Sequence, residues 1–378
     1  MDEKWNARIT VFFLCGILLV FTLADILNKD RLFSENENRV LASRPSFSKE
    51  AVLSGKYMKD YETYVSDQFV SRDTWIELKT RGDILMQKKD INGVYLGKDG
   101  YLIEQHLEGE FSQETADKKI ELLKKLTDKY GADVMLVPTA DNIITDKLPD
   151  NAPYYDQKQL LEKVRKAVGK EHVIDVFSQL EQHADEGLYY RTDHHWTAKG
   201  AYFGYRSWVW QTGRLAPYIY DPAKLITVTD SFLGTLHSKI NLPMEPESIQ
   251  RFTYTDKMPV SITYDFQKKA DSYYEEKHLQ TKNKYGYFLD DNHAIAQIDT
   301  GYHSGRELFL IKDSFANSMV PLLAPHYNRI TVIDLRYYNG KLFDLIDRCR
   351  EESGGQGREL DVLVLYNFIH FMNDFQYY

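Results

Sequence analysis

Cysteine is nearly absent from this chain. Of 378 residues only Cys15 and Cys349 carry a thiol, and Cys15 lies inside the apolar run described below. The remainder can form no intrachain disulfide and no thiolate metal site. Cys349 reads as a small buried hydrophobe rather than a nucleophile. Positive charge is lacking as well. A formal net charge of -9 removes the basic footprint that nucleic acid requires, so no nucleic-acid partner is expected. There is no internal repeat and no low-complexity tract. Apolar residues make up 43%, enough for one large core with a smaller appendage.

What is present starts at the N-terminus. Residues 9–24 are uncharged and apolar, and with Asp25, Ile26 and Leu27 the run approaches the ~20 residues that a helix needs to cross ~30 Å of hydrocarbon. Lys4 and Arg8 precede it, partly offset by Asp2 and Glu3. The run is long for a signal-peptide core and no small-x-small cleavage site follows it. The expected organisation is a cytoplasmic tail over 1–8 and a transmembrane signal anchor over 9–27. A juxtamembrane helical stalk follows over 28–90, then a catalytic domain over 91–378. A cleaved signal peptide is the rival reading, and either one puts the bulk of the chain outside the cytoplasm.

Beyond the stalk, elements alternate. Residues 93–103 form a hairpin pattern around Lys98-Asp99-Gly100. Ser112 is the expected N-cap of a helix over 113–129, with Ala116, Ile120, Leu123 and Leu126 on one stripe and Gly131 ending it. Strands are expected at 134–138 and 173–177, with a helix at 157–168 between them. The last third repeats the theme, with strands at 308–311, 330–333 and 362–366 and helices at 315–324 and 341–350. Short apolar strands alternating with helices predict an α/β fold, a parallel sheet with helices on both faces. Segment 222–300 has weaker periodicity and reads as an insertion beside the site. In such sheets ligands bind beyond the carboxyl ends of the strands.

Two strings fall where chemistry belongs. Asp193-His194-His195-Trp196 precedes a helix beginning near Ala198, with Thr197 as its N-cap. Lys312-Asp313-Ser314-Phe315-Ala316-Asn317 lies where a buried strand meets a helix. A serine there has its hydroxyl at the positive end of the helix dipole, and its own N–H can face an oxyanion. Serine needs a general base, and an Asp-x-His segment can supply an oriented imidazole. The spacing selects His195 over His194. Each residue also has an ordinary use: Ser314 and Asp193 as caps, His195 as a hydrogen-bonded core histidine. Asp-His-His also invites a metal, yet the other nine histidines form no ligand-spaced cluster, so no metal and no cofactor is expected.

With these strings in view the chain resembles the DHHW proteins, relatives of the AlgX/AlgJ-type SGNH-hydrolase-like O-acetyltransferases. The resemblance also rests on Glu35-Asn-Glu-Asn-Arg39, Asp67-Gln-Phe-Val-Ser-Arg72-Asp73, the 93–102 hairpin, Phe232-Leu-Gly-Thr235 and Asp334-Leu-Arg336. It implies an SGNH-hydrolase-like (flavodoxin-like) sheet in which the catalytic order is Asp, His, Ser, as if circularly permuted. It implies Ser314 as nucleophile, His195 as general base and acid, and Asp193 as its orienter. Asn317, Asn142, Arg336 and Trp196 are candidates for oxyanion or substrate contacts. The implied activity is O-acetyl transfer to a polysaccharide acceptor, with a multi-pass membrane acyltransferase as acetyl donor. A carbohydrate O-acetylesterase with the same triad, and a silent glycan-binding or scaffold module, are the other expectations.

Overall fold

The computed structural model describes residues 3–34, 39–214 and 219–375. The string Glu35-Asn-Glu-Asn38 lies outside the described residues. The chain divides into two compact units: residues 1–88 with 238–243, and residues 89–237 with 244–378.

The first unit opens with helix α1 (Glu3–Leu27), whose stretch Trp5–Leu27 is long and apolar enough to cross a membrane and is unburied along its most apolar window. Helices α2 (Lys56–Gln68) and α3 (Arg72–Leu85) follow. The Asp67-Gln68 pair ties the intervening chain down. Asp67 Oδ2 accepts from Ala42 N at 2.8 Å, and Gln68 Nε2 donates to the carbonyls of Arg31 and Ala42, both at 2.9 Å. Phe69 and Trp75 meet the ring of Phe21, with centroids 5.8 and 5.6 Å away.

The second unit starts with a small antiparallel sheet of β1 (Asp90–Ile91), β2 (Val94–Leu96) and β3 (Leu102–Glu104). Helix α4 (Gln113–Tyr130) is capped by the Ser112 side chain and stopped by Gly131 at φ 67°. Glycine adopts that left-handed geometry without a Cβ penalty. Strand β4 (Asp133–Val137) and helix α5 (Gln157–Val168) come next. The strand expected at 173–177 is only a bridge between Val173 and Val134. Asp175 accepts a hydrogen bond from Ser178 N and so starts helix α6 (Val176–Gln182) instead. Helix α7 (Ala198–Thr212) has Thr197 as its cap.

The main sheet has seven strands in the order β8-β7-β9-β11-β10-β12-β4. These are β7 (Ser261–Tyr264), β8 (Lys268–Ala270), β9 (Ile295–Asp299), β10 (Arg306–Lys312), β11 (Arg329–Ile333) and β12 (Glu359–Asn367), beside β4. β4, β12, β10 and β11 run parallel, while β9 pairs antiparallel with both β11 and β7. The expected parallel sheet is therefore mixed. Segment 222–300 supplies three strands of it and a separate hairpin, β5 (Leu225–Phe232) with β6 (Glu247–Phe252). The parallel strands are buried on both faces, as Leu308, Phe309, Leu310, Ile311, Val364 and Leu365 show at 0–1% exposure. Helix α8 (Leu342–Gly355) precedes β12 and helix α9 (Phe368–Asp374) follows it. The helix expected at 315–324 is split into a 3-10 turn, Ser314–Ser318, and a short helix, Val320–Leu323. Pro321 falls in the first turn of the second piece, where a missing N–H costs nothing.

Candidate functional site

The carboxyl ends of the parallel strands converge on one polar region. β10 runs into Asp313 and the Ser314–Ser318 turn, β12 into Asn367 and α9, and β4 into Pro138 and Thr139. The loop before α7 arrives from 119 residues earlier in the chain. Its Trp196 is fully buried, and Nε1 donates to Phe315 O at 2.8 Å and to Ser318 Oγ at 3.1 Å. That indole fastens the loop to the serine turn.

Three sequence-predicted residues meet there. His195 Nε2 lies 2.7 Å from Ser314 Oγ, and His195 Nδ1 lies 2.6 Å from Asp193 Oδ1. A proton on Nδ1 donates to the carboxylate and leaves Nε2 to accept the serine hydroxyl. Asp193 is 3% exposed, His195 5% and Ser314 6%. Asp193 also accepts from His195 N at 3.0 Å on Oδ1, and from Thr235 N at 2.8 Å and Thr235 Oγ1 at 3.0 Å on Oδ2. Burial alone would raise its pKa. The adjacent His194 and His195, together with these bonds, outweigh burial and hold it far below the usual carboxylate range. Gly234 is required at this approach, because a Cβ there would stand 2.2 Å from Asp193 Cβ.

Two rings flank the His195 imidazole. Tyr285 stacks on it at 3.8 Å with planes 12° apart, and His194 lies 3.9 Å away. The Tyr285 hydroxyl donates toward Ser318 Oγ at 3.2 Å. His194 differs from its neighbour. Thr235 Oγ1 has one proton and gives it to Asp193, so it accepts from His194 Nδ1–H at 2.8 Å. Burial, with the nearby His195, pushes His194 down to about 3, which leaves it neutral. Asp193, His194 and His195 each offer a ligand atom within 4.8 Å of the others. The bonds to Ser314 and Thr235 already occupy His195 Nε2 and His194 Nδ1.

The other candidates have hydrogen bonds of their own. Asn142 Nδ2 donates to Asp141 Oδ1 at 3.0 Å and Tyr155 O at 3.1 Å, and its Oδ1 accepts from Gln157 N at 3.1 Å. This side chain ties a turn and has no amide hydrogen left for an oxyanion. Arg336 forks onto Asp334, Nε to Oδ1 at 2.9 Å and Nη2 to Oδ2 at 2.7 Å. With Lys312, 3.5 Å from Asp334, it balances a buried carboxylate. Asn317 Nδ2 donates to Asp291 O at 3.0 Å, while its buried Oδ1 is without a partner among the described residues.

Sequence reasoning missed Thr235, Tyr285 and His370. Thr235 closes the quoted Phe232-Leu-Gly-Thr235 string, which was its only signal. His370 Nδ1 lies 2.8 Å from Asp313 Oδ2. A cavity beside the serine turn is lined by Glu104, His106, Thr139, His194, Asn367 and His370, among others.

The profile of the DHHW protein family matches residues 110–333, and the chain belongs to that family. Over 225 residues it is 27% identical to the probable alginate O-acetylase AlgJ of Pseudomonas syringae pv. tomato. The match takes in 54% of this chain and spans little more than half, 56%, of that relative. A DHHW family protein from Eubacterium siraeum has the same fold, with a TM-score of 0.59 and 23% identity over 75% of this chain and 93% of that one. Bacillus cereus PatB1, solved with a sulfonyl adduct, superposes with a TM-score of 0.59 and 20% identity over 75% and 96% of the two chains.

Proposed function

We propose that this protein is an extracytoplasmic O-acyltransferase that moves acetyl groups onto a cell-surface or secreted polysaccharide. The observation that carries the proposal is the continuous chain Asp193–His195–Ser314, with links of 2.6 and 2.7 Å in a buried setting. The kinship with a probable alginate O-acetylase supports the acyl and the acceptor class. In this reading residues 9–27 anchor the chain, residues 28–90 form a stalk, and 91–378 is an SGNH-hydrolase-like domain. Its motif order is circularly permuted, because the serine strand follows the Asp-His loop.

The mechanism has two steps. Ser314 Oγ attacks the donor's acyl carbonyl as its proton passes to His195 Nε2, and Asp193 stabilises the resulting imidazolium. The tetrahedral oxyanion is met by the Ser314 N–H, which at the first position of its turn has no partner within the turn. Collapse expels the donor oxygen, which takes the proton from His195, and leaves an acyl-serine. A sugar hydroxyl then gives its proton to His195 and attacks the ester. Collapse of that intermediate returns the proton to Ser314 Oγ and releases the acetylated sugar. In this scheme the donor is a multi-pass membrane acyltransferase, and no cofactor takes part.

The test compares the domain from residue 29 onward with its Ser314→Ala variant, using 4-nitrophenyl acetate. Serine-dependent nitrophenol release with an added acetyl mass on Ser314 is expected. Equal background release from both proteins would overturn the enzyme reading and favour a silent glycan-binding module. Transfer to added polysaccharide rather than to water separates the transferase from an esterase.

A further inference from the structure

Asp313 sits directly before the proposed nucleophile and is fully buried. Its Oδ1 accepts from Phe315 N at 2.9 Å, while Oδ2 accepts from Asn367 N and from His370 Nδ1, both at 2.8 Å. A buried carboxylate one residue from an oxyanion would oppose the charge that develops there. It needs a counter-charge that does not move during the reaction. His370 lies on the first turn of α9, with its ring at the wall of the cavity and 5.9 Å from the ring of His194.

We propose that His370 is a positioning residue of the acyl-transfer site: as an imidazolium it neutralises Asp313, holds the turn that carries Ser314, and so allows the oxyanion to form beside a buried carboxylate. The proposal rests on the serine mechanism above. Burial opposes the charged ring, but the bond to Asp313 outweighs it and raises the His370 pKa above its ordinary value. Among the other groups near the ring, Arg336 opposes the cation and Asp374 favours it, and Glu104, His106 and His194 share the wall of the same cavity. Lys312 stands on the far side of Asp313 in sequence and is itself paired with Asp334. Since the folded pKa is raised, the cation is complete below the ordinary histidine range. It is lost as pH rises through the folded value, so activity carries an alkaline limb that belongs to His370.

The experiment measures acyl-enzyme formation from 4-nitrophenyl acetate across pH 5.5–9.5 for wild type, Ser314→Ala, His370→Gln and His370→Ala. Glutamine replaces the donor but cannot titrate. His370→Gln is expected to lower the acylation kcat about tenfold with KM within twofold, and to erase the alkaline limb. The ring lines a cavity that the alanine variant enlarges, so added imidazole at pH 6.5 is expected to restore His370→Ala at least threefold. A wild-type alkaline limb that persists unchanged in His370→Gln would overturn the proposal, as would acylation within twofold of wild type in both His370 variants. If Ser314→Ala acylates like wild type, the enzyme reading itself fails. In that case the NMR titration of His370 decides its pairing: a pKa not raised above the ordinary histidine value ends the proposal too.

Discussion

The parallel half of the sheet and segment 222–300 make different contributions to the same site. β10 and β12 deliver Ser314, Asp313 and Asn367 from strands with almost no exposed surface. Segment 222–300 delivers what surrounds Asp193 and His195. Gly234 and Thr235 follow β5 of the separate hairpin and hold Asp193, and Tyr285, between β8 and β9, stacks on His195. Ser314 thus follows a strand buried on both faces, while the supports of Asp193 and His195 come from segment 222–300. Such a division lets the fold keep one reacting atom fixed while neighbouring segments change around it.

Four substitutions test that division, in order of expected effect. Ser314→Ala should reduce acyl-enzyme formation by about 10⁴-fold or more while the melting temperature stays within a few degrees, because the loss is chemical. Mass spectrometry of the trapped intermediate together with a thermal melt reads both. Leu310→Ala, in the centre of the parallel half, should cost about 3 kcal/mol of stability in urea unfolding, since the side chain is fully buried and leaves a cavity. Gly234→Ala drives a methyl group into Asp193 and should cost about 2 kcal/mol, with activity falling more steeply than stability. If the activity of Gly234→Ala is intact, segment 222–300 does not hold Asp193. Tyr285→Phe keeps the ring against His195 and loses the hydroxyl contacts to Ser318 Oγ and Ser314 O, so a change of about 1 kcal/mol in stability and a few-fold in rate is expected.

The same contrast explains what was legible in the sequence. The strands at 306–312, 329–333 and 359–367 are continuous apolar runs closed by polar residues, a pattern that buried parallel strands share. Ser112 and Gly131 bounded α4 by capping chemistry that acts over three or four residues. β7 and β8 are four and three residues long, too short to show a period, and distant partners rather than local preference set their pairing. At the site, Asp193 and His195 carried a local spacing and Ser314 a strand-end position. Asn142 and Arg336 had the right functional groups, but their hydrogen bonds go to partners that no local pattern reveals. His370 reaches Asp313 across 57 residues with no motif to announce it.

Trp196 joins the loop before α7 to a turn 119 residues downstream through its bond to Phe315 O. A polypeptide emerging from its amino end therefore presents Asp193 and His195 long before Ser314 exists. Because β10 must be in place before the indole finds its acceptor, the contact between His195 and Ser314 arrives late in the making of the fold.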